Sequence, residues 1–424
     1  MKMNETLPHI VVLGGGFGGL TFAQRFPRHR ARITLVDRNN HHLFFPLLYQ
    51  VATAGLSAPD ITQPIRSVLS DRTDTTVLMD EVRGIDLPAR KVVLQEGELR
   101  YDYLVVALGS QNAYFGHREW EQHAPGLKSV DDALRLRRDV LHAFERAERT
   151  DDPAERERLL TLVVIGGGPT GVELAGAFAE LQRHVLAREF RRLNPANARV
   201  LLLQRGSRIL ENYPTHLSEK ARVQLEELGV TVVLNCQVRD IQAGIVVTES
   251  GTYEAGTIVW AAGVQAPALT HSLGVELDRT GRIKVAPDLS VPGHPEVFAI
   301  GDLAAVIDAN GVQVPGFCPS AMQMGAHVAK VLGGELHGGP GRPRPRQPFA
   351  YFDKGIMATI GRSRAVAKLR RLELSGASAW LTWLLVHLAF LIGFRNRIAV
   401  VTQWAYSYFT YRRGARVIYG FGRS

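Results

Sequence analysis

The chain has 424 residues, 46% hydrophobic and 21% charged, a composition that fits two or three packed domains and argues against a disordered chain. Its two cysteines, Cys236 and Cys318, form no C-x-x-C pair, which argues against a disulfide scaffold, a cysteine-ligated metal site and a dithiol relay. The net charge of +9 is uneven: residues 341–424 hold 15 basic and two acidic residues, so an anionic partner is expected at the C-terminal tail.

The first predicted element is an apolar parallel strand at residues 10–13. Gly14, Gly16 and Gly19 follow in G-x-G-x-x-G spacing and open a helix that extends to about residue 25. A second strand, residues 31–36, ends at Asp37, where a ribose-binding carboxylate is expected. Because the first strand starts by residue 10, no signal peptide is expected and the protein is predicted to stay in the cytoplasm.

The same pattern returns about 150 residues later. An apolar strand at residues 162–165 precedes Gly166, Gly168 and Gly171, and a helix follows from about residue 172. Two dinucleotide fingerprints in one chain are far more specific than one. They predict one site for a flavin and one for a nicotinamide, between which a hydride passes.

A loop and short helix are predicted over residues 38–53, which follow the first fingerprint. Residues 37–44 read Asp-Arg-Asn-Asn-His-His-Leu-Phe, and residues 46–53 read Pro-Leu-Leu-Tyr-Gln-Val-Ala-Thr. With the Gly-Gly-Gly-Phe-Gly-Gly turn, these stretches resemble the single-subunit, non-proton-pumping (type II) NADH:quinone oxidoreductases. The resemblance covers almost the whole chain and implies FAD, NADH and a quinone acceptor. His41 and His42 are interpreted mainly as polar loop residues.

Later strands mark the crossings between domains. Residues 102–109 are expected to lead out of the flavin domain, residues 257–264 to return from the nicotinamide domain, and residues 297–302, ending in Gly301 and Asp302, to close the flavin domain. The resemblance implies that Asp302 accepts from the flavin's ribityl chain. A charged helix over residues 129–149 is interpreted as a solvated surface element.

The strand at residues 200–203 departs from the family because it ends in Gln204 instead of an acid. An acid there binds the adenosine ribose and repels the extra phosphate of NADPH. With Gln204 in its place, and with Arg205 and Arg208 able to meet a phosphate, weak discrimination between NADH and NADPH is predicted.

Three residues are candidates for chemistry. Glu173, in the first turn of the second fingerprint helix, is implied by the resemblance to orient substrate and relay a proton. Gln323 matches half of a family quinone motif, Ala-Gln-x-Ala-x-Gln, whose first glutamine is Pro319 here. Lys354 lies in a family stretch near the quinone.

The candidate cofactor-binding residues form two groups. For the flavin they are Gly14, Gly16, Phe17, Gly18, Gly19, Asp37, Arg38, Gln50, Thr53, Val82, Gly109, Gly301 and Asp302; for the nicotinamide they are Gly166, Gly168, Thr170, Gly171, Gln204 and Gly263. No metal site is predicted.

The tail holds two uncharged, aromatic-rich segments, residues 377–394 and 398–411, bracketed by arginines. They predict helices lying in the membrane interface, with arginines on lipid phosphates. A spanning segment and a hairpin packed into a soluble core or dimer interface are the alternatives. Residues 338–348, rich in glycine, proline and arginine, are predicted to be a linker.

The predicted fold is an α/β two-dinucleotide-binding-domain flavoprotein, with two Rossmann-like domains and a C-terminal membrane-associated helical module. Residues 1–117 and 270–345 are assigned to FAD, 118–269 to NAD(P)H and 346–424 to membrane anchoring. The expected partners are a membrane quinone and the membrane surface, with no nucleic acid. A homodimer on the cytoplasmic face of the cell membrane is expected, although the sequence fixes neither the oligomeric state nor the quinone type.

Other readings remain open at this stage. A soluble NAD(P)H reductase that passes electrons to a small iron–sulfur protein would be insensitive to loss of the tail. A sulfide:quinone reductase would need a cysteine pair at the flavin. A flavoprotein whose basic tail binds nucleic acid would show steeply salt-dependent affinity.

Overall fold

The computed structural model describes residues 7–186, 189–193, 197–337, 345–410 and 413–418. The chain divides into two compact units, each built from three segments. The first unit comprises Met1–Leu43, Thr62–Gln111 and Val264–Asp353, and the second comprises Phe44–Ile61, Asn112–Gly263 and Lys354–Ser424. This division groups residues by proximity, so the predicted assignment of segments to cofactors stays a prediction.

A six-stranded sheet forms the centre of the first unit. Its order is Ser290–Val291, His294–Ala299, Tyr103–Val106, His9–Leu13, Arg32–Asp37 and Thr75–Met79, with only the first strand antiparallel to its neighbour. The residues from Ile10 to Leu13 are fully buried. A continuous apolar run without alternation is typical of a parallel strand covered on both faces. The strand predicted at residues 10–13 is therefore confirmed.

Helices cover this sheet, and two of them approach each other closely. The helices of the first unit are Phe17–Arg25, Ile65–Val68 and Cys318–His337. Phe17–Arg25 packs on Cys318–His337 through Gly325, where an added Cβ would collide with the carbonyl oxygen of Gly18. The remaining strands are His41–Leu43, Thr62–Pro64, Val82–Asp86, Lys91–Leu94, Glu98–Arg100, Ile283–Lys284 and Ala304–Ala305.

The second unit has its own parallel sheet of four strands. Their order is Val230–Val233, Arg199–Leu203, Thr161–Ile165 and Thr257–Trp260. The helix Pro169–Glu180 follows the strand Thr161–Ile165 through a glycine turn, which confirms the second predicted strand–turn–helix unit. Trp260, at the end of its strand, packs among Tyr114, Trp120 and Ile241 in the hydrophobic core.

Two antiparallel three-stranded sheets complete the strands of this unit. The first is Val238–Gln242, Ile245–Thr248 and Gly251–Glu254, and the second is Ile356–Gly361, Arg364–Leu369 and Leu372–Ser375. The two-residue strands Gln111–Asn112 and Val264–Gln265 lie where the chain passes from one unit to the other.

The helices of the second unit include the predicted charged one. They are Leu48–Ala52, Ala58–Ile61, Val130–Arg149, Pro153–Leu159, Pro169–Glu180 and Thr215–Glu227, followed by two in the tail. Val130–Arg149 begins in a capping box, in which Ser129 and Asp132 each accept from the other's backbone N–H. Acids in the first turn and arginines in the last stabilise this helix locally. One face, however, buries Leu136 and Phe144 and packs against the helix Leu48–Ala52, so the interpretation as a solvated surface element is wrong for that face.

The first tail helix spans Ala377–Phe390 and the second spans Phe394–Thr410. The break between them comes earlier than predicted, at residues 391–393, where Gly393 has a φ of +90°. Each tail helix buries one face and leaves apolar side chains exposed on another. No helix in the described part of the chain is long and apolar enough to cross a bilayer.

Three tail arginines contact protein groups, and for the buried Arg413 the predicted role on lipid phosphates is wrong. Arg397 caps the first tail helix, donating from Nε to the carbonyl oxygen of Leu391 at 2.8 Å. Arg413 is buried, and Arg416 forms an ion pair with Glu189. Arg395 is exposed. Arg412, Tyr411 and most of the predicted linker lie outside the described residues.

Candidate functional site

The first fingerprint turn is a backbone cradle in the first unit. Gly14 has a φ of +102°, a conformation that favours glycine, and a Cβ there would collide with the carbonyl group of Ala107. A Cβ at Gly19 would collide with the carbonyl oxygen of Gly14. Gly16, the N-cap of the helix Phe17–Arg25, has no side-chain cap and faces open space. Its helix N-terminus therefore presents uncapped N–H groups to an anion such as a pyrophosphate.

Asp37 is fixed by two backbone N–H groups. Its Oδ2 accepts from Gly15 at 2.7 Å, and its Oδ1 accepts from Asn39 at 2.7 Å. Each carboxylate oxygen keeps a further lone pair for a ribose hydroxyl. The structure therefore brings the predicted ribose acceptor to the fingerprint turn, while Arg38 beside it is exposed.

Asp302 lies at the start of a 3₁₀ turn, Gly301–Leu303, directly after the strand His294–Ala299. Gly301 has a φ of +79°, and the hydroxyl of Ser110 donates to Oδ2 of Asp302 at 2.9 Å. Gly109, next to Ser110, has a φ of +70° and open space beside it. The strands Tyr103–Val106 and His294–Ala299 are parallel neighbours, so their carboxyl ends bring these three predicted residues together.

The buried side chain of His42 packs against the first fingerprint turn, a contact that sequence reasoning did not predict. It is 2% exposed, its Nδ1 bonds the carbonyl oxygen of Gly15 at 3.0 Å, and Phe17 packs edge-on against its ring. Burial lowers the pKa of His42. Its Nε2 is buried without a hydrogen-bond partner among the described residues. A bound dinucleotide such as FAD fits these features: the glycine turn, the Asp37 carboxylate with its free lone pairs, and the buried Nε2 of His42.

The second fingerprint turn repeats this geometry in the second unit. Gly166 has a φ of +111°, and a Cβ there would meet the backbone of Ala261 at 2.6 Å. A Cβ at Gly171 would collide with the carbonyl oxygen of Gly166. Gly168 is the uncapped N-cap of the helix Pro169–Glu180 and faces open space, with Pro169 at the first helical position. The turn is therefore built to receive a second pyrophosphate.

Gln204 occupies the place that Asp37 has in the first turn. Its Oε1 accepts from the N–H of Gly167 at 2.8 Å, and its Nε2 donates to Oε1 of Glu211 at 3.0 Å. Arg208, predicted to meet a phosphate, instead donates to the carbonyl oxygen of Glu211 at 2.7 Å and to the hydroxyl of Thr215 at 2.8 Å. That part of the prediction is wrong, whereas Arg205 is exposed.

A cavity of about 130 Å³ lies in the second unit, beneath the two tail helices. Its walls come from the segment around Tyr49, from the second fingerprint helix, from the strand Ile356–Gly361 and from the tail. The side chains that line it include Tyr49, Gln50, Thr53, Glu173, Glu180, Arg362, Trp380, Trp383, Trp404, Tyr408 and Arg413. It thus combines a wide aromatic surface with a few polar groups, as small-molecule sites do.

Glu173 is a titratable group that lines this cavity. Burial raises the pKa of its carboxyl to about 8, and the N–H of Thr359, 3.4 Å from Oε1, only partly opposes this. The carboxyl is therefore protonated at neutral pH and can donate a proton.

Aromatic side chains of the tail close the cavity. Trp383 of the first tail helix stacks on His387 at 4.1 Å and lies 5.7 Å from the ring of Trp404. Trp404 donates from Nε1 to Oε1 of Gln50 at 2.8 Å. Trp383 is 1% exposed, and its Nε1 has no acceptor within the described residues. The ring of Trp383 thus lines the cavity, while its Nε1 is buried.

Buried charges fasten the tail to the second fingerprint helix. Arg413 donates from Nη1 to the carbonyl oxygens of Thr53 at 2.8 Å and Ala177 at 3.2 Å, and from Nη2 to Glu180 at 3.3 Å. Burial lowers the pKa of Arg413, and the Glu180 carboxylate opposes that effect. Glu180 also accepts from the backbone N–H of Arg362 at 2.5 Å. These bonds fix the floor of the cavity.

Gln323 and Lys354 belong to different units. Both polar atoms of the Gln323 amide bond the backbone of Phe352, at 3.0 Å from Nε2 and 2.9 Å to Oε1. Lys354 is exposed, with its ammonium 4.9 Å from the ring centre of Phe390. A role in quinone chemistry stays a prediction for both residues.

The other predicted residues take varied places. Val82 begins the strand Val82–Asp86 of the first unit, and Gly263 has a φ of +155° in the second. Thr170 lies in the first turn of the second fingerprint helix. Gln50 and Thr53, predicted to bind the flavin, line the cavity with Glu173, and Thr53 donates to the carbonyl oxygen of Tyr49 at 2.9 Å.

Sequence reasoning missed several of these residues, and for one a signal existed. Glu173, Ala177 and Glu180 all line the cavity and are spaced i, i+4 and i+7 on one helix, so helical periodicity would have added Glu180. For Glu211 and Trp383 no local pattern pointed to the site, because each meets it through tertiary packing.

Comparisons with known proteins agree with this geometry. The family model "Pyridine nucleotide-disulphide oxidoreductase" matches residues 8–325, and the "NDH2 C-terminal domain" model matches residues 354–413. Two Mycobacterium tuberculosis proteins, the type II NADH:quinone oxidoreductases Ndh and NdhA, are each 44% identical to this chain. The alignments cover 96% of this chain and 90% and 89% of those proteins.

A solved structure has the same fold. The Plasmodium falciparum NDH2 in complex with NADH matches 97% of this chain and 100% of its own, with a TM-score of 0.88 at 20% sequence identity. The predicted α/β fold of a two-dinucleotide flavoprotein is thereby confirmed.

Proposed function

From the premise that this chain belongs to the type II NADH:quinone oxidoreductase family, we propose that it oxidises NADH and reduces a membrane quinone without pumping protons. When bound, FAD would supply the redox chemistry, which is hydride acceptance from the nicotinamide and two-electron transfer to the quinone. The observation that carries the proposal is the pair of equivalent fingerprint turns in one chain, together with a protonated acid in a cavity beneath the tail helices.

The two fingerprint turns would hold the two nucleotides. In the first unit, Gly16 and the helix N-terminus behind it would receive the FAD pyrophosphate, while Asp37 would accept from a ribose hydroxyl. In the second unit, the turn at Gly168 would receive the NADH pyrophosphate. Accordingly, residues 1–117 and 270–345 are assigned to FAD and residues 118–269 to NADH.

The cavity is the proposed quinone site. A quinone offers two carbonyl oxygens that must be polarised and protonated, and the cavity supplies the Glu173 carboxyl as a proton donor. The rings of Trp380 and Trp404 supply the apolar surface for its ring system. A general acid whose pKa lies near the working pH is the most effective kind.

The tail would bring this site to its membrane-bound substrate. Leu385 of the first tail helix is 69% exposed, and Phe394 and Phe409 of the second are 78% and 81% exposed. Exposed apolar residues beside Arg395 suit an interfacial helix on anionic lipid. Residues 346–424 are therefore proposed to bind the membrane surface.

The vesicle test of this surface uses Phe394→Ser combined with Phe409→Ser. Cosedimentation with phosphatidylglycerol-containing vesicles should weaken by at least about tenfold, since each ring buried in lipid contributes roughly 2 kcal/mol. Met79→Ser, which removes an exposed apolar side chain from the first unit, should leave binding unchanged. Equal binding of all three proteins would contradict the proposed surface.

Two finer proposals follow from the sequence. The membrane face is proposed to be cytoplasmic, which protease protection of sealed and inverted membrane vesicles would test. The oligomer is proposed to be a homodimer, and a monomer mass in analytical ultracentrifugation of the detergent-solubilised protein would refute it.

Anaerobic stopped flow on the purified holoenzyme tests the reaction itself. NADH is mixed first and a soluble quinone second, while flavin absorbance is followed. Bleaching by NADH and recovery with quinone is the expected result. No bleaching would overturn the nicotinamide assignment, and bleaching without recovery would overturn the quinone and favour a protein acceptor.

A further inference from the structure

The second fingerprint lacks the usual acid, but the structure supplies one from another part of the unit. Gln204 has a single orientation that satisfies both neighbours, because the Gly167 N–H needs an acceptor and the Glu211 carboxylate needs a donor. The amide therefore links the fingerprint turn to Glu211, over 2.8 Å on one side and 3.0 Å on the other.

The carboxylate of Glu211 lies over the residues that follow the strand Arg199–Leu203. A Cβ added at Gly206 would collide with Oε1 of Glu211 and come within 2.9 Å of Nε2 of Gln204. Glycine at position 206 thus leaves room for the carboxylate. In Rossmann-like domains, the residues after this strand face the adenosine ribose.

Arg208 fixes the loop that presents Glu211. Its guanidinium bonds the carbonyl oxygens of Glu211 and Tyr213, at 2.7 Å and 3.4 Å, and the hydroxyl of Thr215 at 2.8 Å. An arginine with these three partners stiffens the loop and is committed to it. The loop therefore offers a carboxylate, rather than the Arg208 cation, at this edge of the unit.

We propose that Glu211, positioned by Gln204, is the acid that selects NADH over NADPH. The proposal rests on the proposed binding of NADH at the second fingerprint. A carboxylate accepts a hydrogen bond from the ribose 2′-hydroxyl of NADH, whereas it repels the 2′-phosphate of NADPH. The weak discrimination predicted from Gln204 alone is thereby reversed, since the missing negative charge is restored by a residue seven positions further along the chain.

The test compares the dissociation constants of NAD⁺ and NADP⁺ for the FAD-loaded protein, measured by isothermal titration calorimetry. The unmodified protein should favour NAD⁺ by at least about a hundredfold, and Glu211→Gln should reduce this preference by about tenfold or more. Glu211→Arg, which reverses the charge, should reduce it further. The ratio of kcat/KM for NADH and NADPH should shift in parallel.

Glu219→Gln is the matched control. It removes the same charge from the exposed side of the helix Thr215–Glu227, where Glu219 bonds Arg222 instead of the fingerprint. Its NAD⁺ to NADP⁺ ratio should not change. A ratio that stays the same in Glu211→Gln and Glu211→Arg would overturn the inference while leaving NADH binding intact. Failure of the unmodified protein to bind either nucleotide would instead overturn the proposed function.

Discussion

The turn after the strand His9–Leu13 and the turn after Thr161–Ile165 have the same backbone geometry but different side-chain partners. In both, the first glycine has a φ near +100° and the next glycine donates its N–H to a side chain at the carboxyl end of the second strand. That residue is Asp37 in the first turn and Gln204 in the second. The backbone part is shared because only glycine fits it, whereas the recognition part has diverged.

The helices that follow the two turns differ in the same manner. Five positions after the N-cap, the first helix has Thr21 and the second has Glu173. Glu173 lines the cavity of the second unit, whereas Thr21 belongs to the first unit. The same backbone turn is therefore proposed to serve two purposes: the first turn would hold a nucleotide, while the second also places an acid at the proposed substrate site.

The largest expected effect comes from replacing the first glycine of each turn with alanine, because the two variants should lose different functions. Gly14→Ala should cost the protein most of its bound FAD, whereas Gly166→Ala should keep the flavin but slow its reduction by NADH by at least about a hundredfold. Each alanine would be strained at positive φ by about 1–2 kcal/mol and would also collide with a neighbouring backbone. The flavin-to-protein absorbance ratio and anaerobic stopped flow measure the two effects.

Gly97→Ala is the control for strain alone, since Gly97 also has a positive φ, of +94°, but faces open space. It should keep both FAD and the reduction rate. Loss of flavin in Gly166→Ala to the same extent as in Gly14→Ala would contradict the separation of the two sites.

The second expected effect concerns Glu173→Gln. Reoxidation of the reduced enzyme by quinone should slow by about a hundredfold, the usual scale for loss of a general acid. In the unmodified protein, reoxidation should fall as the pH rises through about 8, because the acid then loses its proton. The variant should lack this pH dependence, and Thr21→Val, at the matching position of the first helix, should retain it.

Glu173 should also affect stability, with a definite sign. Its pKa is about 8 in the folded protein, against a reference value of 4.5, so folding takes up a proton between these values. Stability should therefore fall as pH rises from about 4.5 to 8, by at most about 5 kcal/mol, and less where water enters the cavity. Thermal unfolding across this range should show a flatter profile for Glu173→Gln; equal profiles would contradict a buried neutral acid.

A smaller effect is expected where each fingerprint helix meets its neighbour. Gly325→Ala would push against the carbonyl oxygen of Gly18, and Gly176→Ala against that of Ile360, so each should lower stability by about 2–3 kcal/mol. Only Gly325→Ala should also weaken FAD retention, because only that contact touches the first fingerprint. Gly334→Ala, in open space on the same helix as Gly325, should be neutral or stabilising in thermal unfolding.

The smallest effect is expected when the acid of the first turn, Asp37, is changed to an amide and the amide of the second turn, Gln204, is changed to an acid. Asp37→Asn keeps an oxygen for the Gly15 N–H but loses the charge, so FAD affinity should fall by about tenfold. Gln204→Glu should lower NADH affinity by about three- to tenfold, since it sets two carboxylates against each other at the 3.0 Å contact with Glu211.

The double variant Gln204→Glu with Glu211→Gln restores one acid and one amide to the pair. Its NADH affinity, measured by calorimetry, should return toward that of the unmodified protein. A single Gln204→Glu variant that binds NADH more tightly than the unmodified protein would show that the two side chains do not interact.

Much of the fold could be predicted because its signals are local. The apolar runs at residues 10–13 and 162–165, the glycine spacings and the capping box at Ser129 each act within one or two turns of chain. The tail helices were also predicted, although their break was misplaced by a few residues because the first helix ends at Phe390, before the extended Leu391, and not at the arginines. The cavity was not predicted, since its walls come from four separate segments.

The arginines show the limit of sequence reasoning most clearly. Arg397, Arg413 and Arg416 look alike in the sequence, as basic residues at the ends of apolar segments. In the structure the first caps a helix, the second is buried against Glu180 and the third pairs with Glu189. Their partners lie as close as three residues and as far as 360 residues along the chain, so no local pattern distinguishes them.

The sequence by itself determined the two strand–turn–helix units, because glycine is the only residue whose backbone is free at positive φ and whose missing Cβ admits a neighbouring carbonyl. It also determined that Asp37 would stand beside the first turn, since that acid ends the adjacent parallel strand. Only the tertiary structure decided that Glu173 is a neutral acid and that Glu211 faces the second turn. The pKa of Glu173 depends on its burial, and the hydrogen bond of Glu211 depends on a partner that tertiary folding brings close. Neither can be read from the residue type alone.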